Sequence, residues 1–133
     1  GVTVAHVGDS RLYRLRGQAF DLLTIDHSLV SEMVANGYLT AQEALAHRHR
    51  NVVTRALGVS PKVEVDVTQH ACRSGDVYLL CTDGLNNLMA ETEIKEIMAE
   101  AGPDLPVVAR RLVESANALG GTDNVSVVLV RIK

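Results

Sequence analysis

The chain has 133 residues, of which 47% are hydrophobic and 22% are charged, and its formal net charge is −3 at pH 7. This length suffices for one compact domain, and the composition, with no Trp and one Phe, predicts a core of aliphatic side chains. Acidic and basic residues are mixed along the chain, and no apolar run approaches the ~20 residues that span a bilayer. Nucleic-acid binding and membrane insertion are therefore not expected.

Strand patterns open the chain. Alternating residues predict a strand over residues 2–7, and a second strand is predicted over residues 11–16, with Gly17 as the turn beyond it. Because only the polar turn at residues 8–10 separates them, these two strands are predicted to form a hairpin. A third strand is predicted over residues 20–25.

Helical spacing follows. Apolar residues from Leu29 to Val34 predict a helix that stops at Asn36-Gly37, and Thr40 with Glu43 predicts a capping box that opens a second helix. The polar, cationic segment at residues 47–51 predicts an exposed loop. We expect residues 26–51 to form a small helical subdomain that is more mobile than the sheet.

Strands and two longer helices make up the remainder. A half-buried strand is predicted over residues 63–68, and the apolar run 77–81 predicts a central strand. Amphipathic helices are predicted over residues 94–101 and 105–119, the second of them capped by Asp104, and a last strand is predicted over residues 125–132. Short connections between consecutive strands favour antiparallel pairing, so the predicted fold class is α+β.

The two cysteines, Cys72 and Cys81, are too few for a disulfide framework, and Cys81 lies in an apolar run, where we expect a buried free thiol. With no signal-peptide pattern, this favours a cytoplasmic protein. The strand pattern that begins directly at Gly1 predicts a piece cut from a longer protein.

Three aspartates lie where strands are predicted to end or begin: Asp9 in Gly8-Asp9-Ser10-Arg11, Asp83 in Thr82-Asp83-Gly84, and Asp123 in Thr122-Asp123-Asn124. Taken alone, each is explained more simply as a turn residue. Together, carboxylates held at strand ends can converge on a hard cation. The sequence therefore predicts metal-assisted phosphoryl chemistry, with Asp83 as the strongest candidate.

These motifs resemble those of bacterial metal-dependent protein serine/threonine phosphatases of the protein phosphatase 2C (PP2C, or PPM) family. The resemblance extends over essentially the whole chain: residues 7–11 resemble the GDSR motif, 79–85 the (S/T)DGL motif, 121–126 the closing G-x-DN motif, and 26–58 the bacterial flap and the segment after it. It implies an antiparallel β-sandwich flanked by helices, in α-β-β-α layers, with the N-terminal part missing. Residues 1–133 would then be a partial phosphatase domain whose flap lies at about 26–51.

The same resemblance implies a site for two Mn²⁺ or Mg²⁺ ions bridged by a water that hydrolyses phosphoserine and phosphothreonine in proteins. Asp83 and Asp123 correspond to ligands of this pair, and Asp9 corresponds to a ligand of a weaker third ion, shared with Asp83. The family's phosphate-binding Arg and a metal-bridging Asp-Gly pair belong upstream of Gly1. The piece alone is therefore predicted to lack a catalytic residue of its own and to be inactive.

Four further residues are candidates for flap or substrate contacts: His27, His47, His49 and Asn51. His47 and His49 flank Arg48 in a polar loop that can hold a phosphoprotein, although a solvated cationic loop is the simpler explanation. The resemblance also implies that the flap start near Asn51 can approach the third ion, as it can in bacterial members of the family. The implied partners are phosphorylated proteins and a cognate bacterial serine/threonine kinase, and the bare sheet edges predict self-association of the piece.

Two other functions compete with the enzyme. One is a regulatory or binding module of the same fold that has lost catalysis, and the other is a structural domain in which the three motifs persist only as turns. An acidic Asp-Gly motif encoded upstream of Gly1 would favour the enzyme.

Overall fold

The computed structural model describes residues 1–133, which form two compact units. The first unit comprises Gly1–Asp9 and Ile25–Ala71, and the second comprises Ser10–Thr24 and Cys72–Lys133. In chain order the elements are β1 (Val2–His6), β2 (Arg11–Arg16), β3 (Ala19–Leu22), α1 (Leu29–Ala35), α2 (Ala41–Ala46), β4 (Asp66–His70), β5 (Val77–Cys81), α3 (Asp83–Asn86), α4 (Glu91–Glu100), α5 (Leu105–Ala118) and β6 (Val127–Arg131). None of the helices has the length and apolarity needed to span a bilayer.

The first unit contains a two-stranded antiparallel sheet and two short helices. β1 pairs with β4, so that Val2 lies opposite His70 and His6 lies opposite Asp66. The predicted capping box at the start of α2 is confirmed: Thr40 Oγ1 accepts from the Glu43 N–H, and the Glu43 carboxylate accepts from the Thr40 N–H. These local hydrogen bonds explain why so short a helix begins where the sequence predicts it.

The second unit contains a four-stranded antiparallel sheet in the order β3-β2-β5-β6, together with α3, α4 and α5. Strand β5 lies between β2 and β6, which confirms the prediction of a central strand. The core is mostly aliphatic, as predicted, and its buried members are Tyr13, Val77, Leu79, Cys81, Leu85, Met89, Ile94, Met98, Val108, Leu112 and Ala116. Cys81 is a buried free thiol, as expected. The α+β fold class is confirmed, as are the boundaries of the longer helices to within a few residues.

The predicted hairpin between the first two strands was wrong. β1 pairs with β4, whereas β2 pairs with β3 and β5. β2 carries the buried side chains Leu12 and Tyr13, and Tyr13 lies opposite the fully buried Leu79 of β5. Apolar burial against a distant strand therefore outweighs closeness along the chain.

The strand predicted over residues 63–68 is displaced. It covers Asp66–His70, and Val65 and Val67 are exposed although they were predicted to be buried. Asp66 is only half-buried, with a side chain that is 40% exposed, and it accepts hydrogen bonds from His27 and Arg55. The contacts of this strand with the rest of the first unit are thus partly polar, whereas the sequence predicted an apolar face. The short helix α3 was not predicted, because the sequence suggested only a turn at Asp83-Gly84.

Candidate functional site

Asp83 and Asp123 lie at the same edge of the four-stranded sheet. β5 and β6 are antiparallel, and Cys81 at the end of β5 lies opposite Val127 at the start of β6. Asp83 follows β5 as the first residue of α3, and Asp123 lies in the loop that leads into β6. The pairing of the two strands therefore brings both aspartates to one end of the sheet.

Thr82 ties the two segments together. Its N–H donates to the Ser126 carbonyl oxygen at 3.1 Å, and its Oγ1 accepts from the Ser126 N–H at 3.0 Å. The same hydroxyl donates to the Asn124 carbonyl oxygen at 3.4 Å. Three hydrogen bonds thus join Thr82, the residue before Asp83, to the backbone of Asn124 and Ser126 shortly after Asp123, which restricts the positions of both aspartates.

Gly84 allows this close approach. A Cβ atom at position 84 would lie 2.2 Å from the Asn124 carbonyl oxygen, a distance that no side chain tolerates. Glycine is therefore required sterically, because two backbone segments bearing carboxylates meet here.

The donor set fits a hard divalent cation. Asp83 is half-buried and Asp123 is exposed, and one oxygen of Asp123 accepts from the Asn124 N–H at 2.7 Å. A carboxylate has further lone pairs, so this hydrogen bond leaves capacity for an ion. Oxygen ligands of this kind suit Mg²⁺ and Mn²⁺.

Asp9 belongs to the first unit, where it follows Gly8. Gly8 adopts a φ of 108°, a conformation that favours glycine. The His27 N–H donates to the Gly8 carbonyl oxygen at 2.9 Å, and the Gly8 N–H donates to His27 Nδ1 at 3.1 Å. The turn that presents the half-buried Asp9 is thus held by a residue 19 positions away from Gly8.

His27 connects this turn to an ion pair. Because Nδ1 accepts from Gly8, the proton of the neutral ring is on Nε2, which donates to Asp66 Oδ2 at 2.7 Å. Arg55 Nη1 donates to Asp66 Oδ1 at 3.0 Å. The hydrogen bond from His27, followed by the one from Arg55, lowers the pKa of the Asp66 carboxyl below its ordinary value. Asp66 is therefore a carboxylate that keeps the His27 ring in one orientation.

Sequence reasoning did not identify Asp66 or Arg55 as site residues. In the sequence, Asp66 is only one member of an alternating strand pattern, and Arg55 is only one residue of a segment that resembles the family. These contacts join the Gly8 backbone to the side chains of His27, Asp66 and Arg55, and no local spacing rule encodes them. Asp66 could have been identified only if the pairing of β1 with β4, which places His6 opposite Asp66, had been known.

The other predicted residues lie in the exposed loop after α2. The His49 N–H donates to His47 Nδ1 at 3.1 Å, and the two rings lie 5.7 Å apart. Arg50 Nη1 donates to the Leu45 carbonyl oxygen at 3.1 Å, which holds the loop against the end of α2. Asn51 is exposed at the end of this loop. The structure thus brings His47 and His49 together, as part of a cationic surface in the first unit.

Comparison with known proteins gives consistent relatives, although no protein-family model matches the chain. The chain is 43% identical to the serine/threonine phosphatase Stp of Listeria monocytogenes over 129 residues. This match covers 97% of this chain and 51% of that protein. It is 41% identical over 128 residues to the protein phosphatase PhpP of Streptococcus pneumoniae, covering 95% of this chain and 51% of that protein. The chain therefore spans about half the length of the curated relatives it matches.

Solved structures show the same fold. The PPM Ser-Thr phosphatase MsPP from Mycobacterium smegmatis is 41% identical, with a TM-score of 0.88 over 98% of this chain and 56% of that one. The catalytic domain of the serine/threonine phosphatase PstP, solved in complex with two manganese ions, is 34% identical, with a TM-score of 0.79 over 98% of this chain and 54% of that one.

Proposed function

We propose that the full-length protein, like the PPM-type serine/threonine phosphatases to which this chain is similar over nearly its whole length, hydrolyses phosphoserine and phosphothreonine in proteins with the help of divalent metal ions. The meeting of Asp83 and Asp123 at one sheet edge, where Gly84 allows the backbones to touch, carries this proposal. The similarity to phosphatases over nearly the whole chain supports it.

Asp83 and Asp123 hold the ions in this proposal, and Asp9 contributes to a third, weaker one. Two bound Mn²⁺ or Mg²⁺ ions supply Lewis acidity that lowers the pKa of a water and offsets the charge of the phosphate. The two manganese ions bound by the PstP catalytic domain support a divalent metal here. The chain's own contribution is to place the carboxylates rigidly through Thr82 and to balance the charge of the ions.

The exposed loop with His47, His49, Arg48 and Arg50 is proposed to contact the phosphoprotein, because its cationic side chains attract an anionic substrate. Asn51 lies at the end of the same loop and is proposed to act with it. A cognate serine/threonine kinase would supply the substrates of such an enzyme. A cytoplasmic location, predicted from the cysteine pattern, fits this role.

Hydrolysis of p-nitrophenyl phosphate and of a phosphothreonine peptide by the full-length protein tests the proposal. We expect activity with Mn²⁺ and none with a chelator. Asp83→Asn and Asp123→Asn should each lower kcat/KM by about 10²-fold or more, because a neutral amide does not balance the charge of the ions. Asp9→Asn should have a smaller effect at saturating Mn²⁺.

Asp21→Asn serves as the matched control. Its carboxylate lies on β3, where it pairs with Arg14 at 3.2 Å, and it should leave turnover unchanged. Full turnover by Asp83→Asn would disprove the proposed ligand. If the wild-type protein bound the phosphopeptide without turning it over at saturating Mn²⁺, the function would instead be that of a binding module.

A further inference from the structure

We propose that His27 is a positioning residue that fixes the Gly8–Asp9 turn and thereby sets the affinity for the metal ion held by Asp9. This inference rests on the proposed function, since only there is Asp9 a metal ligand. It assigns to His27 a role within the protein, in place of a direct contact with substrate. The burial of His27, at 5% exposure, agrees with such a role.

The argument begins with the two peptide groups that flank Gly8. The Gly8 N–H belongs to the preceding peptide group and donates to His27 Nδ1, whereas the Gly8 carbonyl belongs to the following one and accepts from the His27 N–H. Fixing both peptide planes around one Cα fixes its φ and ψ. A glycine has little conformational preference of its own, so these two bonds select the conformation from which Asp9 projects.

The ring of His27 is itself held firmly. Asp66 accepts from Nε2 at 2.7 Å, Arg55 secures the other oxygen of Asp66, and the His27 carbonyl accepts from the Thr54 N–H at 2.8 Å. The ring of His6 lies 4.8 Å from that of His27. A residue with fixed tautomer and orientation can transmit its position to the turn, as outer hydrogen-bond partners do behind metal ligands.

The same residues do not favour a metal site of their own. His6, His27 and Asp66 offer donor atoms within 4.8 Å of one another. However, both ring nitrogens of His27 are occupied by hydrogen bonds, and the guanidinium of Arg55 lies 3.0 Å from Asp66. A second cation there would be repelled by Arg55 and would have to displace the Gly8 or Asp66 contact.

Two substitutions in the full-length protein separate the contacts of His27. In His27→Asn, the side-chain oxygen lies near the place of Nδ1 and can still accept from the Gly8 N–H, but it does not reach Asp66. In His27→Gln, the amide reaches Asp66 and leaves no acceptor at the place of Nδ1. We expect His27→Gln to weaken the Asp9-dependent Mn²⁺ step in a calorimetric titration by about tenfold, and His27→Asn to weaken it clearly less.

A double-mutant cycle and thermal unfolding without metal complete the test. In an Asp9→Asn background, His27→Gln should cause no further loss of Mn²⁺ affinity. The inference is overturned if His27→Gln titrates like the wild type, if its effect persists without Asp9, or if both variants lose affinity in proportion to their loss of Tm. If His27→Gln does not fold, Asp66→Ala replaces it, with a severalfold loss of affinity expected and an unchanged titration overturning the inference.

The results that would refute the proposed function differ from those that would refute only the role of His27. A wild-type protein that neither binds Mn²⁺ nor hydrolyses phosphopeptide would refute the function and this inference together. An active wild type with an unaltered His27→Gln titration would refute the inference alone.

Discussion

At the scale of single residues, Asp76 shows how a buried charge is maintained. Its side chain is 1% exposed and accepts two hydrogen bonds from Arg16, at 2.8 and 2.7 Å, and one from the Arg73 N–H at 2.8 Å. These contacts, with the Arg16 hydrogen bonds as the largest cause, lower the pKa of Asp76 to about 2. Because this pKa is below that of an unfolded Asp, about 3.9, the stabilisation is complete above about pH 4 and is lost as the pH falls through 2.

Asp76→Asn should therefore lower the free energy of unfolding by about 2–3 kcal/mol at pH 7, because it leaves Arg16 without its charged partner. It should also reduce the loss of stability between about pH 4 and pH 2. Urea unfolding at both ends of that range measures this. The Asp21 side chain is 47% exposed in its pair with Arg14, so Asp21→Asn should lower the free energy of unfolding by less than about 1 kcal/mol. Its loss of stability between about pH 4 and pH 2 should match that of the wild type. If Asp76→Asn lost as much unfolding free energy between about pH 4 and pH 2 as the wild type, Asp76 would not be the source of this acid sensitivity.

Gly84→Ala is expected to separate the two carboxylate-bearing segments. Since its Cβ would meet the Asn124 carbonyl oxygen at 2.2 Å, the backbone must move, at a cost of about 1–3 kcal/mol, and Mn²⁺ affinity should fall with it. Gly102→Ala is the control: apart from the adjoining residues, no atom lies within 4 Å of its added Cβ, and its positive φ of 61° costs about 1 kcal/mol. Calorimetric Mn²⁺ titration should separate the two variants, and equal Mn²⁺ affinity would show that the close approach is not needed.

At the scale of elements, the sequence predicted helices better than strand pairs. The signals for α2 and α5, such as the Thr40–Glu43 box and the Asp104 cap that accepts from the Val107 N–H, lie within one turn of the helix end. The partner of a strand depends on which distant segment buries its apolar face. For that reason the β1–β2 hairpin and the burial of Val65 and Val67 were mispredicted, while the antiparallel arrangement was correct.

Hydrogen exchange should distinguish α2 from β5. α2 has no buried residue, whereas four of the five residues of β5 are buried and the strand pairs on both sides. We therefore expect the amides of α2 to exchange more than about tenfold faster than those of β5 in the full-length protein. Mass spectrometry or NMR of native-state exchange gives the comparison. Equal protection would contradict a more mobile segment at residues 26–51.

At the scale of the whole molecule, the sequence indicated which aspartates are candidate ligands but not which hydrogen bonds hold the turns that carry them. Asp83 and Asp123 could be selected as candidates because each adjoins a predicted strand, and the pairing of β5 with β6 places them at one edge. The hydrogen bond from Gly8 to His27 could not be predicted from the sequence. It depends on a buried His27 whose partner, Asp66, belongs to a strand with a different predicted orientation. Sites of this kind are determined by tertiary contacts between side chains, which periodicity does not report.

One face of the four-stranded sheet remains partly open. Leu80 of β5 lies opposite Val128 of β6, and with Val130 these side chains are 45%, 58% and 44% exposed. Neighbouring exposed apolar side chains on a sheet favour association with another apolar surface. The 133-residue chain, taken alone, is therefore expected to self-associate.

The isolated 133-residue chain is also expected to hold, at best, one weak Mn²⁺ or Mg²⁺ ion and to show no appreciable hydrolysis. The chain spans about half the length of its relatives. Two adjacent divalent cations repel each other, and further bridging carboxylates are needed to offset this repulsion. Light scattering, calorimetric Mn²⁺ titration and a phosphopeptide assay test both expectations. Val128→Lys should shift the chain toward a monomer, whereas Val107→Lys on α5 should not. A monomeric wild-type chain that binds two ions tightly and turns over phosphopeptide would show that these 133 residues suffice for the paired site.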